Sequence, residues 1–232
     1  MFIGHFAVGL AARRVVPWVP LVVLFAAAQF ADLLWPFLVA VGAEHVRIER
    51  GNTAVTPLDF VSYPYSHSLL MLCVWGILFG AAYTGRRVGA DPRVSPGADT
   101  QVGPYRDGIV IAALVVSHWI LDFVTHRPDM PLYPSGPKVG LGLWNSVPWT
   151  VVTEVAMFGA GVSVYLGATR ARDRIGHWGF LSLVAFLLVA YAANIVGPPP
   201  PSIPALWLTA IAGGAVLLVW AAWADRHRDV IL

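Results

Sequence analysis

The chain has 232 residues, 57% of them hydrophobic and 12% charged, with a mean hydropathy of +0.68 and a formal net charge of +2. A soluble domain carries about 25% charged residues, so this composition excludes a water-soluble globule. The slight charge and the lack of a basic run with interleaved aromatics exclude a nucleic-acid binder, and the single cysteine, Cys73, excludes an internal disulfide.

The first apolar segment, Ile3–Val16, has about 14 residues and rises about 21 Å as a helix, short of the ~30 Å hydrocarbon core. Its basic pair, Arg13 and Arg14, follows the apolar run instead of preceding it, the reverse of a cleaved signal peptide. A short helix embedded in the membrane is expected there. Six stretches then approach the roughly 20 residues a span requires: Trp18–Gly42, His67–Thr84, Gly108–His126, Trp149–Ala168, His177–Val196 and Ile203–Ala224. The expected fold is therefore all-α, a polytopic transmembrane helix bundle of about six full spans plus the short N-terminal helix. It forms one membrane domain over residues 1–232. Residues 1–145 carry the candidate metal site, and 146–232 add three further spans.

Lys and Arg collect in cytoplasmic loops. Arg13 and Arg14, the Arg86–Asp107 loop, the turn with Arg170, Arg172 and Arg174, and the tail with Arg226 and Arg228 hold eleven basic residues on one side; Arg47, Arg50, Arg127 and Lys138 are the four on the other. A multi-pass protein of a cell membrane, of the bacterial inner or plasma type, is expected, with its C-terminus in the cytoplasm. The Arg86–Asp107 loop reads as a flexible hydrophilic connector. The Ala43–Ser66 and Arg127–Val147 loops face outward and, with Tyr63, Tyr65, Tyr133, Trp144 and many prolines, are expected to fold against the membrane surface.

Ionisable residues inside spans are costly and point to function. At 1.5 Å per helical residue, His5, Asp32, His67, His118, Asp122, His126 and Glu154 all fall in the outer half of the bilayer. His118 and Asp122 stand four residues apart on one helix face, where they can hold one cation, and His126 extends the stripe by a turn. Imidazole with carboxylate suits zinc first, with manganese and iron as alternatives. A weak internal echo accompanies this. Gly4-His5 opens a descending segment followed by the Asp32 segment, and Ser66-His67 opens another followed by the Asp122 segment. Two such hairpins side by side would bring two His and two Asp to a shared centre.

Gly4-His5, Asp32, Tyr65-Ser66-His67-Ser68-Leu69, and Ser117-His118 through Asp122 with Thr125 together resemble the membrane-bound metal-dependent hydrolases, also described as LexA-binding, inner-membrane-associated hydrolases. The resemblance spans roughly residues 1–145. That family's remote similarity to zinc-dependent phospholipase C and related nucleases implies phosphoester hydrolysis, with His5, Asp32, His67, His118 and Asp122 as metal ligands. The sequence departs at Asp32-Leu33-Leu34-Trp35, which has one carboxylate where members often carry an Asp-x-Asp-His-like cluster. That departure counts against a full multinuclear site.

On this reading the protein is a membrane-embedded hydrolase of a phosphoester or lipid-like substrate, with membrane lipids around it and a divalent metal as cofactor. Glu154 or His126 serves as general base, and Lys138 meets an anionic substrate. Two other readings compete. Intramembrane His and Asp also build ion-coupled permeases, and Pro36 in the Asp32 helix suits a broken transporter helix. The last two spans, rich in Ala, Leu and Val, suit a non-catalytic membrane scaffold.

Overall fold

The computed structural model describes residues 1–90 and 102–231 and is mostly helical. Among the described residues eight helices run in chain order: α1 (Ile3–Ala12), α2 (Leu21–Ala28), α3 (Phe30–Ala40), α4 (Leu69–Ala90), α5 (Val102–Thr125), α6 (Val147–Ala168), α7 (Arg174–Val196) and α8 (Ile203–Asp225). Helices α4 to α8 are long and apolar enough to cross a membrane. The pair α2 and α3 passes the same test as one span bent by 59°, which brings the count to six, and α1 is a shorter apolar helix.

The Trp18–Gly42 stretch is thus two helices joined at a bend. The bend falls at Gln29, seven residues before Pro36, which lies inside α3. Proline removes one backbone donor and is tolerated inside a membrane helix when neighbours re-satisfy the freed groups.

The hydrophilic connector is also shorter than expected. Helix α4 continues to Ala90 and α5 begins at Val102, so Arg86 and Asp107 are helical, while Arg93 and the rest of 91–101 lie outside the described residues. The two helices hold each other where their backbones touch. A Cβ on Gly80 would overlap the Gly108 carbonyl, the small-residue contact that drives helix association in lipid.

The loops after α3 and after α5 carry short antiparallel strands. β1 (His45–Ile48) pairs with β2 (Leu58–Ser62), and β3 (Met130–Pro131) with β4 (Lys138–Val139). At the opposite end β5 (Thr169–Ala171) pairs with β6 (Arg228–Val230). That end is tied by Asp225, whose Oδ1 accepts from Tyr165 Oη at 2.7 Å and lies 3.3 Å from Arg13 Nη2. Its Oδ2 accepts from the Leu21 N–H at 3.0 Å, capping α2. Glu154 does the same for α1: its Oε2 accepts from Phe2 N at 2.8 Å and Gly4 N at 3.2 Å. Two short helices whose first N–H groups would be unsatisfied in lipid are thus capped by buried carboxylates from other helices.

Candidate metal centre

The N-terminus of α1, the bend between α2 and α3, the start of α4 and the last turns of α5 meet at one end of the bundle. His5, His67, His118 and Asp122 are buried there, each at most 3% exposed. Asp32 joins them but keeps 44% of its side chain exposed, so the centre opens on that side.

The ligand-capable atoms form two overlapping groups, His5–His118–Asp122 and Asp32–His67–His118, with the atoms of each group within 4.8 Å of one another. Asp32 Oδ1 lies 3.4 Å from His67 Nε2 and 3.8 Å from His118 Nε2. Asp122 Oδ2 lies 3.1 Å from His118 Nε2 and 3.9 Å from His67 Nε2. Ligands around a tetrahedral zinc stand about 3.3 Å apart, so the atoms of each group are close enough to share an ion after a modest adjustment. His5 Nε2 meets the other oxygen, Asp122 Oδ1, at 3.0 Å. The Met1 nitrogen also contacts Oδ1 and lies 3.2 Å from Thr125 Oγ1.

Three of the four imidazoles have their tautomer fixed by what lies behind them. His118 Nδ1 faces the Ala28 carbonyl at 2.9 Å, and a carbonyl can only accept, so Nδ1 carries the proton. His67 Nδ1 faces Ser66 Oγ at 2.7 Å, and Ser66 donates its own hydrogen to Glu44 Oε2 at 2.6 Å; Oγ must therefore accept from the imidazole. Glu44 Oε1 is held in turn by the Tyr65 and Ser66 N–H groups. His126 Nδ1 faces Asp129 Oδ1 at 2.9 Å and donates to it. Tyr63 Oη donates to the same oxygen at 2.9 Å; burial, then the Asp129 charge, hold its pKa well above the phenol value, so it stays a donor.

Each of these rings in its neutral form turns an Nε2 lone pair toward Asp122. His126 Nε2 lies 3.9 Å from Asp122 Oδ2, while His118 Nε2 is buried with no hydrogen-bond partner. Lone pairs and carboxylate oxygens gathered this closely repel unless protons or a cation lie among them. Imidazoles backed by a carbonyl or a carboxylate are the usual support of metal-ligating histidine. The donor set therefore fits a divalent transition metal.

The other two expected residues lie outside these two groups. Glu154 Oε2 is engaged as the cap of α1, a positioning contact for His5 and not the free carboxylate expected of a base. Lys138 is exposed, donates to the Val61 carbonyl at 3.0 Å, and lines a polar surface depression of about 450 Å³ with Arg47, Arg127 and Asp129. Asp129 is the link from that depression to His126. Glu44, Asp129 and Tyr63 carry no signal as site residues in the sequence, although Asp129 stands at the i+3 spacing from His126. No family model, curated protein or solved structure matches the chain.

Proposed function

We propose that this chain is a membrane-embedded, metal-dependent hydrolase acting on a phosphoester or lipid-like substrate, with zinc as the first candidate metal. The observation that carries the reading is the shared tautomer of His67, His118 and His126, each held by a separate partner so that three lone pairs face Asp122. A buried ion pair or a structural hydrogen bond requires no such convergence. The family resemblance of residues 1–145 supports the same reading. A divalent metal at this centre supplies a water nucleophile near neutral pH and polarises a phosphoryl or carbonyl oxygen.

The protein's own residues do the rest. Asp32, on the open side, is where substrate and water reach the centre. His126, backed by Asp129, is the group best placed to take a proton, since Glu154 is committed to α1. The centre lies at the end of the bundle that the loop charges place outside, and the substrate's polar group approaches from there while apolar chains stay in the lipid.

The bent span α2–α3 is the one feature that favours a transporter, because such proteins break helices at their binding sites. Here the bend has a local use, freeing the Ala28 carbonyl for His118. The polar groups at the other end are tied to one another around Asp225.

The test is hydrolysis of bis(p-nitrophenyl) phosphate by the detergent-purified protein, before and after chelation and after zinc or manganese is returned. Turnover that is lost on chelation and restored by metal supports the proposal. A protein that binds metal but hydrolyses neither this ester nor a phospholipid would point to transport.

A further inference from the structure

We infer that the polar depression beside the centre is a subsite for a second phosphate group on the substrate, apart from the ester that is cleaved. The substrate role rests on the hydrolase reading above; the phosphate site itself does not. The loops at the centre's end of the bundle hold only four of the chain's fifteen Lys and Arg residues. Three of them, Arg47 on β1, Arg127 after α5 and Lys138 on β4, line one depression of about 450 Å³. Small-molecule sites run from about 300 to 1,000 Å³, so the space suits a ligand.

Like charges gather only where something holds them, and here two buried carboxylates do. Asp59 lies opposite Arg47 in the β1–β2 register and accepts from its Nε at 3.1 Å and its Nη2 at 2.7 Å. The other Asp59 oxygen accepts from Arg127 Nη2, and Asp129 Oδ2 lies 3.4 Å from Arg127 Nε. The carboxylates lie inward and the cations outward: the Arg47 side chain is 70% exposed against 6% for Asp59. Each guanidinium thus spends two N–H groups on the carboxylates and keeps the Nη1 edge of its fork. Lys138 gives one N–H to the Val61 carbonyl, which fixes the ammonium at the rim and leaves it two more. Guanidinium forks match phosphate oxygens, and forks already held in place lose little freedom on binding. Glu49, exposed on the same rim, is the one charge that opposes an anion there.

The depression and the centre share Asp129, whose Oδ2 faces Arg127 while its Oδ1 accepts from His126 Nδ1 at 2.9 Å. Phe60 also lines the depression and packs on the His126 ring, with centroids 5.0 Å apart. A phosphate held by the two guanidiniums is therefore one side chain away from the imidazole that takes the proton. A substrate with one phosphate in the depression and its ester at the centre spans both.

Isothermal titration calorimetry of the full-length protein in detergent tests this with inorganic phosphate and with dihexanoyl phosphatidic acid, using dihexanoyl phosphatidylcholine to measure partition into the micelle. One phosphate site per chain is expected. Arg47→Ala and Lys138→Ala should each weaken it about tenfold, the loss of one charged donor, and Glu49→Gln should tighten it. Metal content should be unaltered in all three, and His118→Ala should bind phosphate as the unaltered protein does. Tighter binding of phosphatidic acid than of inorganic phosphate would mark a lipid substrate and equal binding a soluble one; either supports the subsite. Binding lost in His118→Ala but kept in Arg47→Ala would place the phosphate at the centre and overturn the subsite while leaving the hydrolase intact. Binding of neither probe would overturn it too. Subsite binding by a protein that holds no metal would leave the subsite standing and sink the hydrolase. Should His118→Ala fail to fold, the Arg47, Lys138 and Glu49 variants decide the matter alone.

Discussion

His118 Nδ1 donates to the carbonyl of Ala28 at 2.9 Å, across the bend that divides α2 from α3. In a continuous helix that carbonyl would accept from the Asp32 N–H, four residues on. Breaking the ladder at this point does two things at once. It releases an acceptor that fixes the tautomer of a buried imidazole, and it swings the first turn of α3 so that Asp32 faces His118 and His67. The bend is thus part of the site.

If His67, His118 and Asp122 share a cation, removing any one should release most of the metal. His67→Ala, His118→Ala and Asp122→Ala are each expected to lose it to a similar degree, and paired variants to lose little more, because the first change has already emptied the site. Elemental analysis of the three single and three double variants checks this. Full retention in His67→Ala would take that residue out of the site.

Ser66→Ala removes the hydroxyl between Glu44 and His67 without touching a ligand. Loss of such a supporting contact costs about 10- to 100-fold in metal affinity. Competition against a fluorescent chelator measures it. An affinity equal to that of the unaltered protein would mean that the Glu44–Ser66–His67 chain does not orient the ring.

Glu154 separates two roles. As the cap of α1 it should tolerate Glu154→Gln, whose amide oxygen can still accept from Phe2 and Gly4, and Glu154→Ala should cost about 0.5–2 kcal/mol of stability, as lost caps do. Hydrolysis by Glu154→Gln should stay within a few-fold of the unaltered rate. A collapse of turnover with metal retained would restore Glu154 as the general base.

At the opposite end, Asp225→Ala leaves Arg13 and the α2 terminus without their partner. Removing one member of a buried pair costs about 3–5 kcal/mol. The thermal midpoint in detergent should fall while metal content per folded chain is unchanged. Metal loss in this variant would show the two ends of the bundle to be coupled.

The spans were legible in the sequence because length and apolarity alone define them, and the five ligand candidates because charge inside a span is rare. Which atoms meet there was not: the two hairpins lead to a shared centre, but the contacts between them, His5 Nε2 at 3.0 Å from Asp122 Oδ1 and His67 Nε2 at 3.4 Å from Asp32 Oδ1, are set by packing between hairpins, which spacing within one does not mark. Glu44 was illegible for a similar reason: it lies 22 residues from Ser66 and joins it only when the loop after α3 folds back. Lys138 has the right charge for an anion, but its ammonium is held by the Val61 carbonyl, a contact between strands that sequence spacing does not mark.

The orientation read from the loop charges has its own check. In a Cys73→Ala background, Ala54→Cys on the exposed β1–β2 loop should react with an impermeant maleimide on intact cells. Labelling that requires the membrane to be opened would put the centre on the cytoplasmic side.

The convergent imidazoles and carboxylates are proposed to hold a metal. Elemental analysis of the full-length protein, purified in mild detergent without chelators, tests this most directly. At least one equivalent of zinc, manganese or iron per chain is expected, removable only by a strong chelator. A folded protein with far less than one equivalent, which takes up none on incubation with these ions, would contradict the account.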